Sequence, residues 1–242
     1  MSNYKLTIQY DGTNYAGWQI QTDCKTIQQT VSDGIKIITG KKINLIGSGR
    51  TDSGVHAFEQ IANFKTEFEL DIKKFKYSLN SVLPKDISII DVEKVSEEFH
   101  ARYDAKSREY IYLFIKYKSP FYEPYTYRYF YDLDSEYLNK LSKYLLGEKD
   151  FTSFARKSLE PEDKNCIVYD THWSERKGFL VFFIEANRFL HGMVRTIIGT
   201  LLNAQKNNLD EEYLQKVFSA KKREAAAEAV PAKGLFLFKV KY

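Results

Sequence analysis

The feature that most constrains the fold is the order strand, helix, strand, strand, helix, strand, which the apolar pattern predicts twice along the chain. In the first half, alternating apolar residues indicate strands, and apolar residues three or four apart indicate helices. The predicted elements are a strand at 4–10, a helix from Ile27 to Ile38, strands at 43–48 and 58–65, a helix at 71–82 and a strand from Ile87 to Val95.

The second half repeats this order without repeating the sequence. Its predicted elements are a strand at 107–117, a helix at 135–146, strands at 166–175 and 179–186, helices at 189–204 and 210–219, and a strand at 235–241. This order is that of the ferredoxin-like unit. We therefore expect an α+β protein in which two ferredoxin-like halves form one continuous antiparallel sheet, with helices on one face and a central cleft for a ligand.

We place the boundary between the halves near residue 104, which gives an N-terminal half at 1–104 and a C-terminal half at 105–242. No linker rich in Pro, Gly or Ser separates them, so rigid packing is expected. The only cysteines, Cys24 and Cys166, form no Cys-x-x-Cys pair and suit a reducing cytoplasm. No apolar run is long enough to cross a membrane. The net charge of +4 suits a polyanionic partner without identifying one.

One segment concentrates chemically useful residues. Residues 47–57 read Gly-Ser-Gly-Arg-Thr-Asp-Ser-Gly-Val-His-Ala and join two predicted strands. By itself, such a segment is most simply a hairpin connection in which Gly and Asp satisfy turn geometry. A phosphate-binding loop is a second interpretation, but the Lys-Ser or Lys-Thr ending of a P-loop is missing.

The phrase Gly-Arg-Thr-Asp-Ser-Gly-Val-His-Ala closely resembles the signature of the tRNA pseudouridine synthase A (TruA) family. It departs only at Ser53, where the family usually has alanine. Further motifs of this family follow in the same order and extend the resemblance over nearly the whole chain. They are Tyr10–Gln19, Thr26–Gln28, Arg108–Tyr110, Asp150–Phe154, Met193–Arg195 and Gly234–Leu237.

The resemblance implies isomerisation of uridine to pseudouridine in tRNA, at positions 38, 39 and 40 of the anticodon stem-loop, by a homodimer. It assigns the catalytic carboxylate to Asp52. The carboxylate would attack the sugar, add to C6 of the base or abstract a proton, and the sequence leaves these three routes open. No cofactor and no metal are expected, because the reaction is not a redox step and the four histidines show no ligand spacing.

Three further residues are predicted to bind the substrate or support Asp52. Arg195 is the only charged residue between Arg188 and Lys206, in an otherwise apolar helix. It either reaches solvent at the helix edge or pairs with Asp52 and keeps that carboxylate ionised. Tyr110 lies on a predicted strand, and one face of this strand is expected to be cationic and aromatic. The residues of that face are Arg108, Tyr110, Tyr112 and Phe114. The opposite face is apolar and is expected to meet helices. The resemblance places Tyr110 against the target uracil.

Arg50, two residues before Asp52, is predicted to fill the gap left by a flipped nucleotide or to hold its phosphate. Trp18, Tyr15 and Asp11 are interpreted mainly as packing around the loop.

Three alternatives stand beside this hypothesis. The first is a non-catalytic, RRM-like RNA-binding protein, although no RNP1-like run is present. The second is a pseudouridine synthase that acts on another RNA. The third is a glycosidase with paired carboxylates, for which the sequence offers no second acid in a comparable loop.

Overall fold

The computed structural model describes residues 1–156 and 163–242 and shows an α+β protein. The chain divides into two compact units. The first contains Met1–Lys106 together with Phe236–Tyr242, and the second contains Ser107–Leu235. The final strand thus groups with the first unit, although the sequence order suggested that it closes the second half.

The first unit is a sheet with two helices. Strand β1 pairs antiparallel with β3 on one side and β4 on the other, the two-residue β2 pairs with β3, and the final strand runs parallel to β3. The elements are β1 (Ser2–Tyr10), α1 (Ile27–Thr39), β2 (Ile46–Gly47), β3 (His56–Thr66), α2 (Ile72–Val82), β4 (Ile87–Val95) and the final strand (Leu235–Lys241).

Local sequence explains where the helices of this unit begin and end. The Thr26 side chain accepts a hydrogen bond from the Gln29 N–H, which caps the start of α1, and Gly40 ends that helix in the left-handed region at φ 68°. Asp71 caps α2 in the same way as Thr26 caps α1. The two helices approach closely at Gly34, where an added Cβ would lie 3.0 Å from Leu79 Cδ1.

The second unit contains an antiparallel sheet in the order β5-β9-β8-β7, with the short β6 parallel to β5. Its elements are β5 (Ser107–Ile115), β6 (Tyr127–Arg128), α3 (Ser135–Ser142), β7 (Gly147–Asp150), β8 (Asn165–Arg176), β9 (Phe179–Ala186), α4 (Met193–Lys206) and α5 (Glu211–Ala220).

Three predicted elements need correction. The strand expected at 43–48 is limited to Ile46–Gly47, and the helix expected at 135–146 ends at Ser142 and continues only as a 3₁₀ turn. The helix expected from residue 189 begins at Met193, because Gly192 adopts φ 74°, which a right-handed helix does not allow. The short strands β6 and β7 were not predicted.

Within the described residues, no helix is long and apolar enough to cross a membrane. The same part of the chain contains no group of three or more His, Cys, Asp or Glu side chains arranged to hold a metal ion.

Candidate active site

The loop between β2 and β3 presents Asp52 from a tightly turned backbone. The Val55 N–H donates to the Asp52 carbonyl at 3.2 Å, which closes a turn around residues 52–55, and Gly54 takes φ 75° within it. Asp52 is half-buried and Arg50 is exposed, whereas Thr51 beside them is buried. The Arg50 Nε donates to the Gln19 side chain at 3.2 Å. The loop therefore offers a carboxylate and a guanidinium two residues apart.

The segment that follows β1 holds this loop in place. The Trp18 N–H donates to the Thr51 carbonyl at 3.1 Å, and the Gly54 N–H and the Ser53 hydroxyl both reach the Tyr15 carbonyl, at 3.3 and 3.1 Å. Trp18 and Tyr15 are 1% and 2% exposed. Their predicted role as packing around the loop is confirmed.

Glycines make this close approach possible. A Cβ on Gly12 would lie 2.0 Å from the Val55 carbonyl oxygen, and one on Gly17 would lie 2.5 Å from the Thr51 carbonyl oxygen. Gly17 also adopts φ 93°, where side chains are disfavoured. A Cβ on Gly47 would meet the Trp18 ring at 2.5 Å. The glycines of two separate motifs thus have the same role, which is to allow the Asp52 loop to pack closely against the segment that follows β1.

Buried hydroxyl and amide groups hold the loop in place through hydrogen bonds. The Tyr10 and Thr51 hydroxyls are 2.8 Å apart, directly beside the Asp52 peptide. The Ser48 hydroxyl donates to Gln60 Oε1 at 2.7 Å, and Gln60 Nε2 donates to the Gly49 carbonyl at 3.0 Å. Burial raises the pKa of the Tyr10 phenol, so it stays protonated and serves as a neutral hydrogen-bonding group.

His56 ends the loop as a buried acceptor. The Gly12 N–H donates to His56 Nδ1 at 3.1 Å, and the imidazole stacks on Phe236 with ring centres 4.7 Å apart. Asp11 Oδ1 lies 3.1 Å from the same Nδ1, but it already accepts from the Thr13 N–H and hydroxyl at 2.9 and 2.6 Å. His56 is therefore a buried group at the end of the loop that contacts the segment after β1.

In the second unit, Tyr110 lies on β5 with 7% of its surface exposed, and its ring meets Phe189 edge to face at 5.0 Å. The predicted assignment of strand faces was wrong. Tyr112 and Phe114 form the buried side, at 0% and 1% exposed, while Ile111 on the supposed helix-facing side is only half-buried. Large rings remove more apolar surface from water than aliphatic side chains do.

Tyr112 remains buried because its hydroxyl donates to the Pro231 carbonyl at 2.8 Å. Phe114 packs against Trp173 with ring centres 5.6 Å apart. Both rings are therefore part of the packed interior of the second unit.

Arg195 projects from the first turn of α4 and is half-buried. Its Nε donates to the Val230 carbonyl at 2.7 Å, and the Val230 N–H donates back to the Arg195 carbonyl at 3.2 Å. This reciprocal pair fixes the direction of the guanidinium. Within the second unit, Arg195 is therefore held by backbone groups and is not a mobile surface side chain.

The predicted site residues thus fall into two sets. Arg50 and Asp52 share one loop of the first unit, whereas Tyr110 and Arg195 lie on a strand and a helix of the second. Reasoning from the sequence missed the supporting roles of Tyr10 and Thr51, both of which lie in motifs that it had singled out. It also missed Gln60, which lies outside those motifs and gives no signal of its role.

The profile of a family described as tRNA pseudouridine synthase matches residues 6–104 and 141–242. The chain belongs to this family. Arg50, Asp52 and Arg195 lie within the matched ranges, whereas Tyr110 lies outside them. The membership favours neither a non-catalytic RNA-binding module nor a glycosidase.

Individual members of the family resemble the chain over its full length. It is 43% identical to the tRNA pseudouridine synthase A of Caldicellulosiruptor saccharolyticus over 100% of both chains. It is 39% identical to that of Thermoanaerobacter sp. (strain X514) and 41% identical to tRNA pseudouridine synthase A 2 of Clostridium perfringens, again over 100% of both chains.

Proposed function

We propose that this protein isomerises uridine to pseudouridine in tRNA and that Asp52 carries the chemistry. The observation that supports Asp52 most directly is the construction of its loop. Buried hydroxyls, glycines without clearance for a Cβ and backbone hydrogen bonds all hold a short segment around one half-exposed carboxylate. A preorganised carboxylate is what a positioned nucleophile or base requires.

The reaction breaks the bond between ribose C1′ and uracil N1, turns the base and forms a bond between C1′ and C5. C5 loses its hydrogen and N1 gains one, so no oxidant, reductant or external group is needed. Each of the three routes open to the Asp52 carboxylate requires its ionised form. Its half-exposed position gives a substrate access to it.

The other site residues have proposed roles around this step. Arg195 keeps the Asp52 carboxylate ionised and oriented. Two observations support this role: Arg195 is the only charged residue of α4 before the terminal Lys206, and its Nε is held by the Val230 carbonyl. Tyr110 contacts the flipped uracil. Arg50, exposed beside Asp52, fills the vacancy in the RNA stack or holds the phosphate of the flipped nucleotide.

The finer parts of the proposal come from the sequence resemblance. They are action at positions 38, 39 and 40 of the anticodon stem-loop, a homodimer and a cytoplasmic location. The strand and helix order of the first unit supports a ferredoxin-like half there. A second such half, a continuous sheet and a central RNA-binding cleft stay predictions.

Release of tritium tests the proposed reaction. A tRNA transcript labelled at C5 of uridine loses its label to water when the new bond forms at C5, so incubation with the purified protein is expected to release tritium. Free labelled uridine is expected to release none, because the binding energy that offsets base flipping comes from remote contacts with the RNA. Tight tRNA binding without release would favour a non-catalytic binder instead.

A further inference from the structure

A basic cavity of about 340 Å³ lies in the second unit, apart from the residues assigned above. It joins two sequence features that have no role so far, the Asp150–Phe154 motif and the Lys221-Lys222-Arg223 run. By sequence alone, such a run is typical of an ordinary solvated face. The lining residues are Thr152, Ala155, Arg156, Lys164, Lys221, Lys222, Arg223 and Glu224.

The basic run is fixed to the motif by its backbone. The buried Ser153 hydroxyl donates to the Val217 carbonyl at 2.6 Å and accepts from the Lys222 N–H at 3.1 Å. Lys221 adopts the left-handed conformation at φ 46°, and a 3₁₀ turn follows at Arg223–Ala225. The backbone of the run therefore has a defined conformation where it lines the cavity.

Two other lining residues, Arg156 and Lys164, also lie on or beside hydrogen-bonded backbone groups. The Arg156 N–H donates to the His191 carbonyl at 2.8 Å, and the Phe151 N–H donates to the Lys164 carbonyl at 3.1 Å. These bonds fix the backbone at Arg156 and at Lys164, both of which line the cavity. The described lining residues thus come from three backbone segments of the second unit, 152–156, 164 and 221–224.

One cation of the cavity, Lys221, is paired with the carboxylate of Asp150. Asp150 Oδ1 accepts from the Thr152 N–H and hydroxyl at 2.9 and 2.5 Å, and its Oδ2 pairs with Lys221 Nζ at 2.9 Å. Burial opposes ionisation of Asp150, but these hydrogen bonds lower the pKa of its carboxyl overall. Among the described residues, Arg156, Lys222 and Arg223 bring three more cationic groups to the lining, beside the carboxylate of Glu224, and the Arg223 guanidinium also donates to the Ala226 carbonyl at 3.1 Å.

We propose that this cavity binds backbone phosphates of the RNA substrate, an inference that rests on the proposed function for its ligand. Clustered like charges repel one another, and a phosphodiester oxygen pair relieves that repulsion while it accepts hydrogen bonds from guanidinium and ammonium groups. The described residues that line the cavity include no aromatic ring on which a base would stack. The cavity therefore contacts the RNA backbone and contributes to affinity without reading sequence.

The test removes two charges from the cavity and two from elsewhere. Arg156→Gln/Lys222→Gln removes two positive charges from the cavity, and Lys41→Gln/Lys42→Gln removes the same charge from the exposed loop after α1. Dissociation constants for an unmodified tRNA transcript are measured from about 0.05 to 0.3 M salt. We expect the cavity variant to bind tRNA roughly tenfold more weakly at 0.1 M salt. The salt slope, which is the slope of the logarithm of the binding constant against the logarithm of the salt concentration, is expected to fall in magnitude by about 1 to 2. The control should change affinity less than threefold.

Equal losses in the two variants would overturn the proposal, because they would make the run an ordinary solvated surface. Matched thermal unfolding midpoints establish that each variant is folded. If the double variant is not folded, Lys222→Gln alone replaces it. This single variant is expected to show roughly half of the change in salt slope that is expected for the double variant.

Inorganic phosphate is the probe for a small-anion site. Saturable phosphate binding that the cavity variant loses, with tRNA affinity intact, would also overturn the proposal. Because these readouts need no turnover, they are independent of the proposed reaction. If the protein binds tRNA through the cavity but releases no tritium, the proposed isomerase activity is refuted and the proposed role of the cavity is not.

Discussion

At the scale of single residues, the proposed role of Asp52 depends on the groups that fix its peptide as much as on the carboxylate itself. Tyr10 is 3% exposed and Thr51 is 6% exposed, so neither hydroxyl has water as a ready alternative partner. A buried polar group left without its partner costs about 1–3 kcal/mol. The pair therefore contributes both to stability and to the position of Asp52.

This dependence predicts a specific pattern among substitutions at Thr51. Thr51→Val keeps the shape and removes the hydroxyl, so it should lower the free energy of unfolding by about 1–3 kcal/mol and reduce kcat more than it changes KM. Thr51→Ser should restore most of the turnover. A double-mutant cycle with Tyr10→Phe checks the pairing. Strictly additive losses would show that the two hydroxyls do not interact.

Tyr110 gives a second prediction at this scale. Tyr110→Phe keeps the ring and its edge contact with Phe189, so tRNA affinity should stay within about threefold while turnover slows. Tyr110→Ala should weaken tRNA binding as well. Affinity and single-turnover rate are measured for both variants. Identical behaviour of the two would count against contact between this ring and the uracil.

At the scale of elements, glycines set how closely the segment after β1 approaches the loop. Gly12→Ala forces a Cβ to within 2.0 Å of the Val55 carbonyl oxygen, so it should destabilise the protein by about 1–3 kcal/mol and displace the loop. Gly49→Ala is the matched control in the loop itself, since a Cβ there meets nothing within 4 Å. Chemical denaturation and turnover are the measurements. A Gly49→Ala variant as impaired as Gly12→Ala would refute the steric explanation.

Much at this scale is readable from sequence. Asp71 predicts the start of α2 because its carboxylate caps the helix, and the alternation at 179–186 predicts β9 with its correct ends. Strand β6 is two residues long, which is too short for any periodicity. The start of α4 depends on the backbone angle of Gly192, and the surrounding apolar pattern hides that angle.

The candidate site shows the same division. The role proposed for Asp52 comes from its motif, because the loop signature is contiguous in sequence. The Tyr10–Thr51 contact joins residues 41 positions apart and depends on strand pairing. Convergence of the 150–154 and 221–223 segments on one cavity is likewise a product of tertiary packing, which local patterns do not contain.

At the scale of the whole molecule, we propose that chemistry and affinity are separated. In this proposal, the Asp52 loop in the first unit performs the reaction, and basic groups in the second unit contribute to affinity for the tRNA. Substitution at Asp52 should therefore abolish turnover and leave affinity almost unchanged. Loss of basic groups should instead weaken binding, as proposed for the cavity.

The most direct test of the central claim is to quantify pseudouridine in a tRNA transcript after reaction with the wild type and with Asp52→Asn. This substitution keeps the size of the side chain and removes its charge. We expect stoichiometric pseudouridine with the wild type and none with Asp52→Asn, while the affinity of the two for tRNA agrees within about threefold. Clear residual pseudouridine with Asp52→Asn, formed by folded protein, would contradict the assignment of Asp52 as the catalytic residue.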